Sequence, residues 1–171
     1  MGGGDKYFIE ETKILINSLF DKTEHSIRTE LNISPSRKQR YFNTNLIYAQ
    51  ANRFFQLPGR LNLEIGGFFT PPNKGGYAYN FAILGISQDL ILPLFISASG
   101  NLFIGTGIGL YIKSQVDTRV GSKVIFTERF FLGYMIKNFS LELYWKHYSN
   151  GTLMLPNSGH DFGGLSFGYN F

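Results

Sequence analysis

The feature that most constrains this chain is a strict alternation of side-chain character with a period of two. In 138–149 the odd positions begin with Phe139, Leu141, Leu143 and Trp145, while the even positions carry Ser140, Glu142, Tyr144, Lys146 and Tyr148. In 161–171 the odd positions include Leu165, Phe167, Tyr169 and Phe171, and the even ones are Phe162, Gly164, Ser166, Gly168 and Asn170. In 102–112 Leu102, Ile104, Thr106, Ile108, Leu110 and Ile112 share one face, with Phe103, Gly105, Gly107, Gly109 and Tyr111 on the other. Successive side chains of a strand point to opposite faces. These segments are therefore strands with one greasy face and one face that mixes glycine, aromatic and charged groups.

The same rhythm extends along the chain. Strands are expected near 25–34, 42–55, 60–70, 80–97, 101–113, 122–136, 138–149 and 161–171, an even number, as in single-chain bacterial barrels. Pro58-Gly59, Ser99-Gly100 and Lys137-Asn138 mark short turns, and 35–41, 71–79, 114–121 and 150–160 form longer loops. Short turns at one end and long loops at the other is the outer-membrane arrangement. No uninterrupted apolar run approaches the roughly 18 residues of a membrane helix. Charged residues make up 16% of the chain, and it carries 20 Gly, 17 Phe and 10 Tyr. A soluble barrel would turn its greasy face inward and Glu142 and Lys146 outward; a membrane barrel reverses this. Glycines crowding the polar face suit a narrow, filled lumen, and a terminal aromatic strand ending on Phe171 resembles the C-terminal signature of bacterial outer-membrane proteins. The expected fold is an eight-stranded antiparallel transmembrane β-barrel over 24–171.

Residues 1–23 form an N-terminal extension. Phe8, Thr12, Leu15 and Leu19 recur at three- to four-residue spacing, which suits a short amphipathic helix over 6–22. The start, Met1-Gly2-Gly3-Gly4-Asp5, has neither the basic segment nor the apolar core of a signal peptide. Location in the outer membrane therefore implies that such a signal has been removed. There are no cysteines, hence no disulfides or thiolate metal sites.

The stretch that carries chemistry is Trp145-Lys146-His147-Tyr148-Ser149-Asn150-Gly151, followed by Leu155-Pro156-Asn157-Ser158-Gly159-His160-Asp161. By parity His147 and Ser149 share the face of Leu143 and Trp145, and Asp161 shares the face of Leu165 and Phe167. A lone His-x-Ser is weak, and polar residues at a strand end often mark only the water interface. Three such residues on a lipid-facing wall, on strands joined by one loop, are more informative. Positions i and i+2 lie about 6.5–7 Å apart along a strand, and neighbouring strands about 5 Å apart. Nucleophile, base and orienting acid are then within reach of one another, the arrangement of acyl transfer.

His147-Tyr148-Ser149-Asn150, then Leu155-Pro156-Asn157-Ser158-Gly159 and an acid at 161, resembles the active-site segment of the outer-membrane lipid A 3-O-deacylase family. The resemblance covers roughly 58–171, running more loosely through Leu102–Gly109 and Gly121-Ser122 to Phe126, Arg129 and Gly133. The family carries Glu where this chain has Asp161, one methylene shorter.

The resemblance implies hydrolysis of an ester-linked acyl chain of lipid A through a serine acyl-enzyme, with His147, Ser149 and Asp161 as catalytic residues. Asn150, Gly151, Thr152 and Asn157 offer donors for the oxyanion, and Leu143, Trp145 and Leu165 offer a wall for the acyl chain. No cofactor and no metal are called for. The partners are lipopolysaccharide and outer-membrane lipids, with no nucleic acid; assembly as a homodimer is left open. Basic residues Arg37, Lys38, Arg40, Lys74, Arg119 and Lys123 lie on or beside the long loops, against Arg60 and Lys137 near the short turns, which suits an anionic headgroup. Two alternatives stand beside this reading: a non-enzymatic barrel, and another lipid esterase such as a phospholipase.

Overall fold

A strand greasy on one face and polar on the other can satisfy its backbone inside a bilayer only by pairing on both edges. The computed structural model describes residues 25–35, 41–54, 57–70 and 80–171. Within them β1 (His25–Ile33), β2 (Phe42–Phe54), β3 (Leu57–Phe69), β4 (Phe81–Ser97), β5 (Gly100–Lys113), β6 (Val124–Ile136), β7 (Phe139–Ser149) and β8 (His160–Asn170) pair each with the next, all antiparallel. β1 pairs with β8, from Ser26↔Asn170 to Ile33↔Gly163, and closes the barrel without a free edge. The fold is the expected eight-stranded transmembrane β-barrel. The helix expected over 6–22, and the extension 1–23 as a whole, lie outside the described residues, as do Arg37, Lys38, Arg40 and Lys74.

The parity holds along the walls. Leu141, Leu143 and Trp145 of β7, Leu165, Phe167 and Tyr169 of β8, and Ile104, Ile108 and Leu110 of β5 are exposed on the outer face. Their alternate neighbours fill the lumen. At mid-barrel, four cations meet four carboxylates. Arg60 bonds Glu142 at 2.6 Å and Asp89 at 2.8 Å, Arg129 bonds Glu142 at 2.7 Å and Glu30 at 3.1 Å, and Lys146 bonds Glu64 at 2.7 Å. Arg28 adds a contact to Glu142 at 3.4 Å. Buried charges are tolerated when paired in this way. A Cβ at Gly107 would collide with the Asp89 carboxylate, so glycine on the inner face makes room for the charges. An aromatic layer bounds the network on either side. Phe68, Phe81, Tyr111, Tyr148 and Phe162 pack toward the long-loop end, and Ile91, Phe103, Phe131 and Tyr144 form the second cluster.

The short connection at Lys137-Asn138 matches expectation, and the one expected at Ser99-Gly100 falls one residue earlier, at Ala98-Ser99, with Gly100 opening β5. Pro58-Gly59 does not turn the chain. Both residues lie inside β3, paired with Arg53 and Asn52, and β3 begins at Leu57. Proline is accommodated near the start of a strand. Gly59 is needed for close approach, since a Cβ there would lie 2.5 Å from the Asp89 carbonyl oxygen. A register shift between Pro93 and Phe95 puts Leu94 and Phe95 both on the outer surface near the short-turn end of β4.

Candidate active site on the outer wall

The ladder sets the site. His147 and Asp161 are direct cross-strand partners of β7 and β8. The imidazole Nδ1–H donates to Asp161 Oδ1 at 2.8 Å, with both side chains part-exposed on the outer face. On the lipid side the ring stacks on Trp145, with centroids 5.9 Å apart and planes 17° from parallel, and Trp145 stacks in turn on Phe130. The imidazole is thus held in plane by an aromatic ladder and in rotation by a carboxylate. Ser149 is half-buried on the same face, two residues on, beside Phe126 of β6. Among the described residues, no hydrogen bond joins Ser149 to the imidazole. Tyr148 and His160, the intervening residues, are buried inside the barrel.

The 150–159 loop joins the two strands that carry this row. Asn150 is fully buried; its main-chain N–H donates to Asn157 Oδ1 at 2.9 Å and its side-chain amide to the Met154 carbonyl at 2.6 Å. Asn157 forms a β-bridge with Val120. Gly151 and Thr152 turn the chain at positive φ, 59° and 64°, and both are exposed. Leu143, Trp145 and Leu165 line the outer wall on the barrel side of the row. A groove of about 530 Å³ runs beside Trp145, between Leu143, Ile104, Phe130 and Leu132. Among the described residues no group of three or more His, Asp or Glu side chains has the arrangement of a metal site.

The sequence profile of the lipid A 3-O-deacylase (PagL) family matches residues 41–170, from the start of β2 to the end of β8. The chain belongs to the lipid A 3-O-deacylase family. Its fold is shared with the outer-membrane enzyme PagL, at 20% identity and a TM-score of 0.66, covering 85% of this chain and 99% of that one. It is also similar to Neisserial surface protein A, at 11% identity and a TM-score of 0.55, covering 86% of this chain and 96% of that one. No curated protein is similar enough to add to these.

Two features of this deacylase-family chain escaped the sequence. Glu128 of β6 is exposed on the outer face and is the cross-strand partner of His147 on the side opposite Asp161. A row Glu128–His147–Asp161 therefore crosses three strands. Glu128 alternates with Phe126 and Phe130, so the period of two was the signal that could have found it. The second feature is a group under the loops. Asp117 accepts from Lys113 Nζ at 2.6 Å and lies 3.2 Å from His160 Nε2. Burial opposes ionisation of Asp117, but its bonds to His160 and Lys113 prevail and hold its carboxyl well below the usual range. Arg119, read from the sequence as a headgroup contact, donates to the carbonyls of Gly159 at 2.7 Å and Ser158 at 2.9 Å.

Proposed function

We propose that this protein lies in a bacterial outer membrane and removes the 3-O-linked acyl chain of lipid A through a serine acyl-enzyme. The observation that carries this reading is the His147–Asp161 hydrogen bond on a lipid-facing wall, with Ser149 one step along the same face. Such a site has little use for a soluble substrate and is suited to an ester already in the leaflet. Family membership names the lipid.

Ser149 Oγ attacks the ester carbonyl while His147 Nε2 takes its proton, and Asp161 stabilises the imidazolium and fixes its tautomer. Collapse of the tetrahedral species breaks the bond to the sugar oxygen, which leaves as the alcohol with the proton from His147. Water, deprotonated by His147, then attacks the acyl-enzyme and releases the fatty acid. The Ser149–His147 hydrogen bond is one that forms fully with substrate in place, since catalytic hydrogen bonds are often long in an empty site. Charge on the carbonyl oxygen needs preorganised donors. Asn157 is suited to supply one, because its Oδ1 is taken by the Asn150 N–H, which leaves Nδ2 as the donor. The exposed N–H groups of Gly151 and Thr152 stand nearby in sequence. Asn150 contributes by holding the loop through Met154. The acyl chain lies against Leu143 and Trp145, which line the groove, and against Leu165 on the neighbouring strand.

Mass spectrometry of purified lipid A before and after incubation with the protein tests this. Loss of one ester-linked acyl chain with release of the free acid is expected, and Ser149→Ala abolishes it while leaving the barrel folded. Release of fatty acid from phospholipid but not lipid A points to a phospholipase instead. A well-folded Ser149→Ala variant with unchanged turnover eliminates the nucleophile.

A further inference from the structure

The segment that delivers Asp161 to the wall is gripped by the neighbouring loop. The carbonyls of Ser158 and Gly159 both accept from the Arg119 guanidinium, at 2.9 and 2.7 Å, and the Ser158 N–H donates back to the Arg119 carbonyl at 2.8 Å. The grip continues beyond Arg119: Val120 bridges Asn157, and the Gly121 N–H donates to the Pro156 carbonyl at 2.8 Å. Arg119 is itself fixed, because its own N–H donates to Asp117 Oδ1 at 2.8 Å and Asp117 is anchored on Lys113.

Gly159 is the other half of the device. It lies at φ +64°, a conformation other residues rarely adopt. A Cβ built on it would stand 2.5 Å from Cε1 and 3.0 Å from Nε2 of His147. The Gly159 backbone therefore abuts the edge of the imidazole that Asp161 does not hold, at the nitrogen that must exchange the proton. Asp161 fixes Nδ1, Trp145 covers the ring face, and Gly159 sets how far the Nε2 edge can swing.

We propose that Arg119 is a positioning residue for catalysis: by clamping the Ser158 and Gly159 carbonyls it sets the Gly159 backbone against His147 and holds Nε2 in line for Ser149. The inference rests on the acyl-transfer reading above. It gives Arg119 a role distinct from attracting an anionic headgroup, and the two roles differ in what they change. A clamp acts on kcat, whereas a headgroup contact acts on KM. The guanidinium reaches the two carbonyls from two different nitrogens of a rigid planar fork; a lysine ammonium has a single nitrogen on a flexible stem and holds the pair less firmly.

The test uses the whole chain refolded in detergent, with lipid A in mixed micelles, and compares the parent with Arg119→Ala, Arg119→Lys and Gly159→Ala. Arg119→Ala is expected to keep heat-modifiable gel mobility and a β-rich circular dichroism spectrum. Its kcat should fall about tenfold to a hundredfold, the scale of a misplaced catalytic group, with KM little changed. Arg119→Lys should recover part of the loss, and millimolar guanidinium should restore activity to Arg119→Ala without affecting the parent. Gly159→Ala should lose kcat as well, because its methyl group presses on the ring. In nitrogen-15 spectra of labelled imidazole, the parent should show a single Nδ1–H tautomer for His147, and Arg119→Ala a mixture or a broadened signal. An Arg119→Ala protein with parental kcat and unchanged His147 signals overturns the proposal, as does a rise in KM alone. If the parent does not deacylate lipid A, the proposed function falls, while the imidazole signals still decide the role of Arg119.

Discussion

Asp161 faces His147 directly across the ladder, and in the proposed mechanism its carboxylate accepts the imidazole N–H and stabilises the imidazolium. Asp161→Asn keeps the shape but can offer the imidazole an N–H where it needs an acceptor, and so favours the wrong tautomer. A fall in kcat of roughly 10²–10⁴ is expected, the upper end being that of the same change in serine proteases. Asp161→Glu should retain activity, because a longer acid at this place is compatible with the same ring nitrogen; steady-state kinetics on the two variants decides. His160, next in sequence, is the control. It points into the barrel onto Asp117, so His160→Ala should lower stability by about 1–3 kcal/mol, the cost of an unmade buried bond, and cost much less kcat than Asp161→Asn in protein that folds. That His147, Ser149 and Asp161 share a face was legible because strand parity is strict and needs no knowledge of register. That His147 pairs with Asp161, and not with a residue one rung away, is a matter of register, which depends on the length of the 150–159 loop. What Arg119 holds was not legible at all. Main-chain carbonyls carry no sequence signature, and a basic residue in a loop reads the same whether it meets a lipid or a backbone.

The elements were legible to within a few residues, with one instructive exception. Pro58-Gly59 has turn chemistry, but its residues are used for what they lack: Pro58 a donor near the strand start, Gly59 a Cβ against the Asp89 carbonyl. The ladder pairing of β3 with β2 continues across them, although Pro58, Gly59 and Arg60 are buried in succession and the alternation resumes only at Leu61. Inward-facing charges show how the elements are joined. Glu142 of β7 accepts from Arg28 of β1, Arg60 of β3 and Arg129 of β6, and so ties four strands across the lumen. Glu142→Ala would leave three buried guanidinium groups short of a carboxylate. Removing one partner of a buried ion pair costs about 3–5 kcal/mol, and a loss on that scale is expected in urea unfolding of the barrel in lipid vesicles. The site should be affected less than the wall, since His147 and Ser149 face away from the network.

At the scale of the molecule, an outer wall and a packed lumen divide the labour: charge pairs and rings inside hold the cylinder together, and the proposed reacting row sits on the outside of it. Placing the reacting row on the convex surface changes the kinetics in kind. On the proposed function, substrate reaches Ser149 by sliding in a two-dimensional fluid, so the quantity that governs turnover is the mole fraction of lipid A around the cylinder, not its amount per litre. Diluting lipid A with inert phospholipid at constant total lipid A should slow the reaction, while diluting the whole vesicle suspension should leave the rate per enzyme unchanged. The protein behaves, in effect, as a post past which its substrate drifts.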